Sequence, residues 1–113
     1  MPSKFQLKKA KNGKTYFNLL ATNGEIILTS QMYASNATAK KGIASVQTNA
    51  ASPAQFEEKQ TGKGKYHFVL RAKNYQVIGT GESYSGKAAM KKGIKSVGTN
   101  APKAKIVDLT QSS

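Results

Sequence analysis

The residues from Tyr33 to Ala50 recur 51 positions later as Tyr84 to Ala101, with nothing inserted or lost between the copies. The match reaches further upstream. Of the 46 positions from Phe5 to Ala50, 21 carry the same residue in the second copy. An ungapped repeat of this length means that one supersecondary unit is built twice. A unit of about 50 residues is marginal alone, so the two are expected to share one core. The chain of 113 residues is therefore expected to be a single domain, 1–113, with repeat 1 at 4–52, repeat 2 at 55–103 and a final strand at 104–109.

Within each unit the hydrophobic period changes from two to 3.6. Phe5-Gln6-Leu7 alternates apolar and polar residues, and Phe17, Leu19 and Ala21 alternate along a second run, as in half-buried strands. Asn12-Gly13 between them is a hairpin signal, and its counterpart keeps Gly64. A second turn at Asn23-Gly24 leads to a third strand, Ile26–Thr29, matched by Val77–Thr80. Because Gly24 becomes Tyr75, the expectation is that this position need not have positive φ and that an asparagine in the left-handed region carries the turn. Then Ala39, Ile43 and Val46, and again Met90, Ile94 and Val97, fall at i, i+4 and i+7 on one helical face. Ser35 and Ser85 are the expected N-caps, and Asn49 and Asn100 the expected left-handed ends. Gly42 and Gly93 lie inside the helices at a cost of about 1 kcal/mol each, which close approach to the sheet or to the other helix would offset.

Lys105–Leu109 reads as a partial third copy of the first strand, with Val107 on Phe56 and Phe5. Pro53 and Pro102 mark the links where extended chain is expected to begin. The order is βββα, βββα, β. The fold class expected is α+β: one largely antiparallel sheet with two helices on one face, the last strand interlocking the halves.

These residues resemble a known group. Gly13-Lys14-Thr15-X-Phe17-X-Leu19 leads to Ala21-X-Asn23-Gly24-X-Ile26-Ile27-X-Thr29-Ser30 and then to Tyr33-X-Ser35 and Gly42-Ile43-X-Ser45-Val46-X-X-Asn49-Ala50. This pattern, repeated from Gly64 to Ala101 with departures at Tyr75, Gly79 and Gly81, is similar to that of the YegP-like family of small bacterial proteins. The resemblance implies a single sheet, two helices on one face, and final strands exchanged between units. It implies that single-repeat relatives dimerise whereas a tandem chain is self-contained, hence a monomer. It brings no activity and no catalytic residues.

The residues themselves offer little chemistry. There is no cysteine, which removes disulfides and thiolate chemistry and fits a reducing compartment. His67 is the single histidine, aligned with Tyr16 on a strand, and no motif links it to an oriented acid. Glu57 and Glu58 are adjacent, so on a strand they point to opposite faces rather than forming a paired acid and base. Gly62-Lys63-Gly64-Lys65 is too short for a phosphate loop. No enzyme activity, metal or cofactor is expected. No leader or membrane-spanning run is visible after Met1, so a cytoplasmic protein without membrane contact is expected.

Charge gives the functional lead. Eighteen Lys and Arg face five Asp and Glu, a formal +13, and only Arg71 of the eighteen is arginine. Such a field attracts polyanions, and a lysine-dominated one does so without reading sequence. Two surfaces are candidates. One is the outer helix face, with Lys40, Lys41, Lys87, Lys91, Lys92 and Lys95. The other is the open sheet face, with Lys8, Tyr16, Asn18, Lys59, His67 and Arg71, where Leu20 and Val69 also fall and would mark a protein-binding patch. The expectation is a binding module for nucleic acid or another polyanion. The alternative is a protein-interaction module whose charge serves solubility.

Overall fold

The computed structural model describes residues 3–62 and 64–110. Strands β1 (Lys4–Lys9), β2 (Thr15–Leu20) and β3 (Ile26–Thr29) form a meander, followed by helix α1 (Asn36–Asn49). The second unit repeats this with β4 (Phe56–Thr61), β5 (Lys65–Arg71), β6 (Val77–Thr80) and α2 (Lys87–Asn100), and β7 (Lys105–Asp108) ends the series. All seven strands make one sheet in the order β4-β5-β6-β3-β2-β1-β7. Every neighbouring pair is antiparallel except β1 with β7, which run parallel. The α+β class, the sheet and the helix layer expected from the repeat are all present.

The halves meet at β3 and β6, where Thr29 pairs with Thr80. These two threonines are equivalent in the repeat, so a pseudo-two-fold axis passes between them. Gly79 of β6 lies under Leu28 of β3, its own equivalent, so tightly that a Cβ there would come to 2.7 Å from the leucine side chain. β7 follows the second unit yet joins the first. It lies outside β1 in the register Phe5 opposite Ile106 and Leu7 opposite Asp108. The interlocking final strand is therefore real, although Val107 does not stand where the third-copy alignment puts it.

One core lies between the sheet and the helices. Phe5, Leu7, Phe17, Leu19, Phe68 and Leu70 alternate onto the covered face, and Ile43, Val46, Met90 and Val97 meet them from above. Each unit contains the same aromatic set. Phe5 meets Phe17 edge-on with centroids 5.7 Å apart, and Phe17 stacks on Tyr33 at 6.0 Å. Phe56, Phe68 and Tyr84 repeat the arrangement. The helix glycines are explained here: a Cβ on Gly42 would enter the Tyr33 ring and one on Gly93 the Tyr84 ring. The close approach is to these tyrosines, not to the other helix.

Four local expectations need correction. Ser35 caps α1, accepting from the Thr38 N–H at 3.2 Å while the Thr38 hydroxyl accepts from the Ser35 N–H. Ser85 does not do the same, because the cap position of α2 is Gly86, without a side-chain bond. Neither helix ends left-handed. Asn49 and Asn100 close the helices by donating from Nδ2 back to the carbonyls of Ser45 and Ser96, and the chain turns on into Ala50 and Ala101 with right-handed geometry. Tyr75 takes φ 70° and Gly24 φ 84°, so the left-handed residue is this one and not the preceding asparagine. Asn23 and Asn74 contribute instead by accepting from the N–H two residues on. Finally, Pro53 and Pro102 lie in short 3-10 turns, Pro53–Gln55 and Ala101–Lys103, and extended chain resumes only after them.

Candidate binding surfaces

The six helix lysines are all exposed. The buried stripe of each helix faces the sheet, so residues three and four apart on the other side present their ammonium groups to water. Among the described residues none of the six lies within ion-pair distance of a carboxylate. They are not equivalent in their surroundings. Lys91 and Lys95 border a cavity of about 360 Å³ with Phe56, Ile94 and Gly98. Lys87 borders a second, of about 170 Å³, with Glu58, Tyr66 and Met90. Lys40 lies near the end of β7, where it helps hold Asp108 in its charged form. Lys41 and Lys92 stand on the outer surface.

The uncovered sheet face is less open than alternation suggests. Lys8 stands across from Tyr16, and Lys59 across from His67, so the two units place a cation beside a ring in the same way. Asn18 does not belong with them. It is 4% exposed and its Nδ2 donates to Thr29 Oγ1 at 2.9 Å. Leu20 and Val69 are likewise buried rather than forming an exposed patch, since β2 and β5 are flanked by strands on both sides. Arg71 is engaged. Its Nε and Nη2 donate to Glu57 Oε1 at 2.8 and 2.7 Å, and its Nη1 donates to the Tyr75 carbonyl. The guanidinium bond and its charge hold Glu57 below the usual carboxylate range. Lys59 approaches the same oxygen at 4.0 Å. Of the six residues expected on this face, Lys8, Tyr16, Lys59 and His67 form two cross-strand pairs, and Asn18 and Arg71 are tied into the fold.

Sequence reasoning passed over the strip between β4 and α2, where both cavities lie. The signal was present in the mismatches between the units. Leu7 becomes Glu58 and Gln47 becomes Gly98, so an apolar residue is exchanged for a charged one and a bridging residue for a glycine, where a Cβ would stand 3.1 Å from the Ala50 carbonyl. Among the described residues no group of three acidic or histidine side chains is placed to hold a metal ion, and no helix is long and apolar enough to cross a membrane.

Residues 10–57 and 62–108 each match the family model described as a domain of unknown function, DUF1508. The chain belongs to the DUF1508 family. Its relatives in this family include the UPF0339 protein YegP of Yersinia pestis, 56% identical over 106 residues, which are 94% of this chain and 95% of that protein. UPF0339 protein PA0329 of Pseudomonas aeruginosa is 46% identical over 108 residues, 96% of this chain and 98% of the relative. Two structures solved by NMR superpose closely. UPF0339 protein SO3888 from Shewanella oneidensis gives a TM-score of 0.91 at 43% identity, covering 97% of this chain and 93% of that one. The yegP protein of E. coli, a protein of unknown function, gives 0.93 at 39% identity, covering 100% of this chain and 97% of that one. The resemblance read from the repeated motif is thus a family membership, and the family brings no named activity.

Proposed function

We propose that this chain is a non-enzymatic binding module that attracts polyanions, nucleic acid first among them, through its helix layer. One observation carries the reading: six exposed lysines on the two helices, none in an ion pair among the described residues, within a formal charge of +13. Ammonium groups are strongly hydrated point charges, suited to phosphate contact and poorly suited to base recognition. Binding of this kind is weak, independent of sequence and driven by counterion release. The tandem chain supplies both halves of the sheet, which supports a monomer, and the absence of cysteine supports a reducing, cytoplasmic setting.

Anisotropy titrations with labelled single- and double-stranded DNA and RNA, between roughly 50 and 200 mM salt, test this. Affinity is expected to fall steeply with salt. Replacing Lys40, Lys41, Lys91 and Lys92 with glutamine should weaken binding and flatten that slope. Absence of binding at low salt, or an unchanged slope in the variant, rejects the proposal and leaves the charge as a solubility feature. The second reading, a protein-interaction module, is favoured by a different observation, the strip beside β4.

A further inference from the structure

In the first unit β7 extends the sheet beyond β1 and runs along the side of α1. Three contacts fasten it. Gln47 Nε2 donates to the Ala104 carbonyl, the Leu109 N–H donates to the Leu7 carbonyl at 2.8 Å, and Asn36 Nδ2 donates to Thr110 Oγ1. The Thr110 hydroxyl in turn donates to Asp108. Under this cover Phe5, Leu7, Ala39 and Ile43 are fully buried.

The pseudo-two-fold axis creates the same space beside β4 and α2, and among the described residues no strand fills it. β4 is the edge of the sheet. The two residues by which α1 fastens β7, Gln47 and Asn36, have Gly98 and Lys87 as their equivalents. Gly98 lines the larger cavity of this strip and Lys87 the smaller one. Phe56 and Ile94, equivalents of fully buried residues, are only partly covered. The second unit therefore keeps the track of a β7-like strand as an open groove. Its chemistry has changed as well. Where α1 carries Asn36, Lys40 and Ala44, α2 carries Lys87, Lys91 and Lys95, three ammonium groups on successive turns that border the groove against one carboxylate, Glu58. In the filled groove the lysine lies near an acidic strand residue. Asp108 is held charged first by the Thr110 hydroxyl and N–H and then by Lys40 and Lys9.

We propose that the groove between β4 and α2 is a strand-acceptor site for an acidic, extended segment of a partner protein, laid parallel to β4 as β7 is laid parallel to β1. Backbone pairing to the free edge supplies the register, and the lysine row selects acidic side chains. A second copy is a poorer occupant, because lending its β7 would strip the cover from its own Phe5 and Leu7. The inference shares Lys87, Lys91 and Lys95 with the polyanion reading but does not rest on it, since Lys40 and Lys41 lie outside the groove.

The test uses the full chain and a synthetic peptide of residues 104–110 carrying K105E and T110D, acetylated and amidated. Titration followed by amide NMR shifts is expected to saturate, with the shifts confined to β4 and the facing side of α2. K91E/K95E should weaken the peptide at least about tenfold, whereas K40E/K41E should leave it unchanged. Glu58→Pro removes the N–H equivalent to that of Leu7 on the outward edge and should abolish binding while β4 remains paired with β5. If that variant fails to fold, a peptide with its acidic residues replaced by lysine, matched to K91E/K95E, serves instead and should regain binding. A scrambled peptide of equal charge binding as tightly would overturn the proposal, as would shifts centred on α1 or no saturation at millimolar peptide. Concentration-dependent self-association lost in Glu58→Pro would overturn it in favour of a second copy. Loss of DNA binding in K40E/K41E with the peptide still bound separates the two readings.

Discussion

At the scale of single residues, two positions show what the fold demands of the chain. Tyr75 holds φ at 70° and is 79% exposed, a conformation that costs an L-residue about 1 kcal/mol or more. Tyr75→Gly should therefore raise stability by about 0.5–1 kcal/mol in urea unfolding, and Gly24→Ala should lower it by a similar amount. A neutral result at Tyr75 would mean that the ring has contacts outweighing the strain. Gly42 and Gly93 test the opposite constraint. Alanine is the better helix former by about 1 kcal/mol, yet its methyl would enter the Tyr33 or Tyr84 ring, and overpacking costs about 1–3 kcal/mol. Gly42→Ala and Gly93→Ala should each destabilise, with smaller loss when the facing tyrosine is replaced by leucine. The sequence made the glycines conspicuous because they cost helix propensity. It did not reveal the tyrosine beneath, since that contact joins residues outside any local pattern. The left-handed turn position was misread for a related reason: a tyrosine at positive φ runs against steric preference, and only the surrounding turn bonds hold it there.

At the scale of elements, strands and helices were legible because their periodicities are written twice, and two copies check one another. Helix ends were less so. A serine one residue away from the cap position looks equivalent in sequence but cannot reach the free N–H groups, as Ser85 illustrates. The most consequential element is β7. Deleting 104–113 should uncover Phe5 and Leu7 and cost about 2–4 kcal/mol, measured by urea unfolding. A truncated chain with an unchanged midpoint would show that β7 contributes nothing to the fold. The end of this strand also carries a pH dependence. Asp108 lies below its ordinary value because Thr110 donates to it, so its stabilisation is complete above the unfolded value of about 4 and is lost as pH falls through the lower folded value. Glu57 behaves in the same direction through Arg71. Asp108→Asn, which keeps an acceptor for Thr110, should flatten the loss of stability between pH 4 and acid, read from thermal melts. An equally steep loss in the variant would assign the acid sensitivity elsewhere.

At the scale of the whole molecule, eighteen basic groups on a small body repel one another. Added salt screens that repulsion, so the melting temperature should rise as sodium chloride goes from low to physiological concentration. A fall would show that attractive ion pairs outweigh the repulsion. The charge was visible in composition alone, and so was its presence on both helices. The groove beside β4 was not, because it is a difference between two copies that are otherwise read for their likeness. The axis between those copies carries one more consequence. At the joint, Leu28 occupies the space that Gly79 vacates, and the two positions are the same position in the repeat. A pair of first units would bring two leucines into one space, and a pair of second units would leave a hole. Since the duplication the halves have become lock and key to each other. Neither half presents at this contact the surface that the other presents.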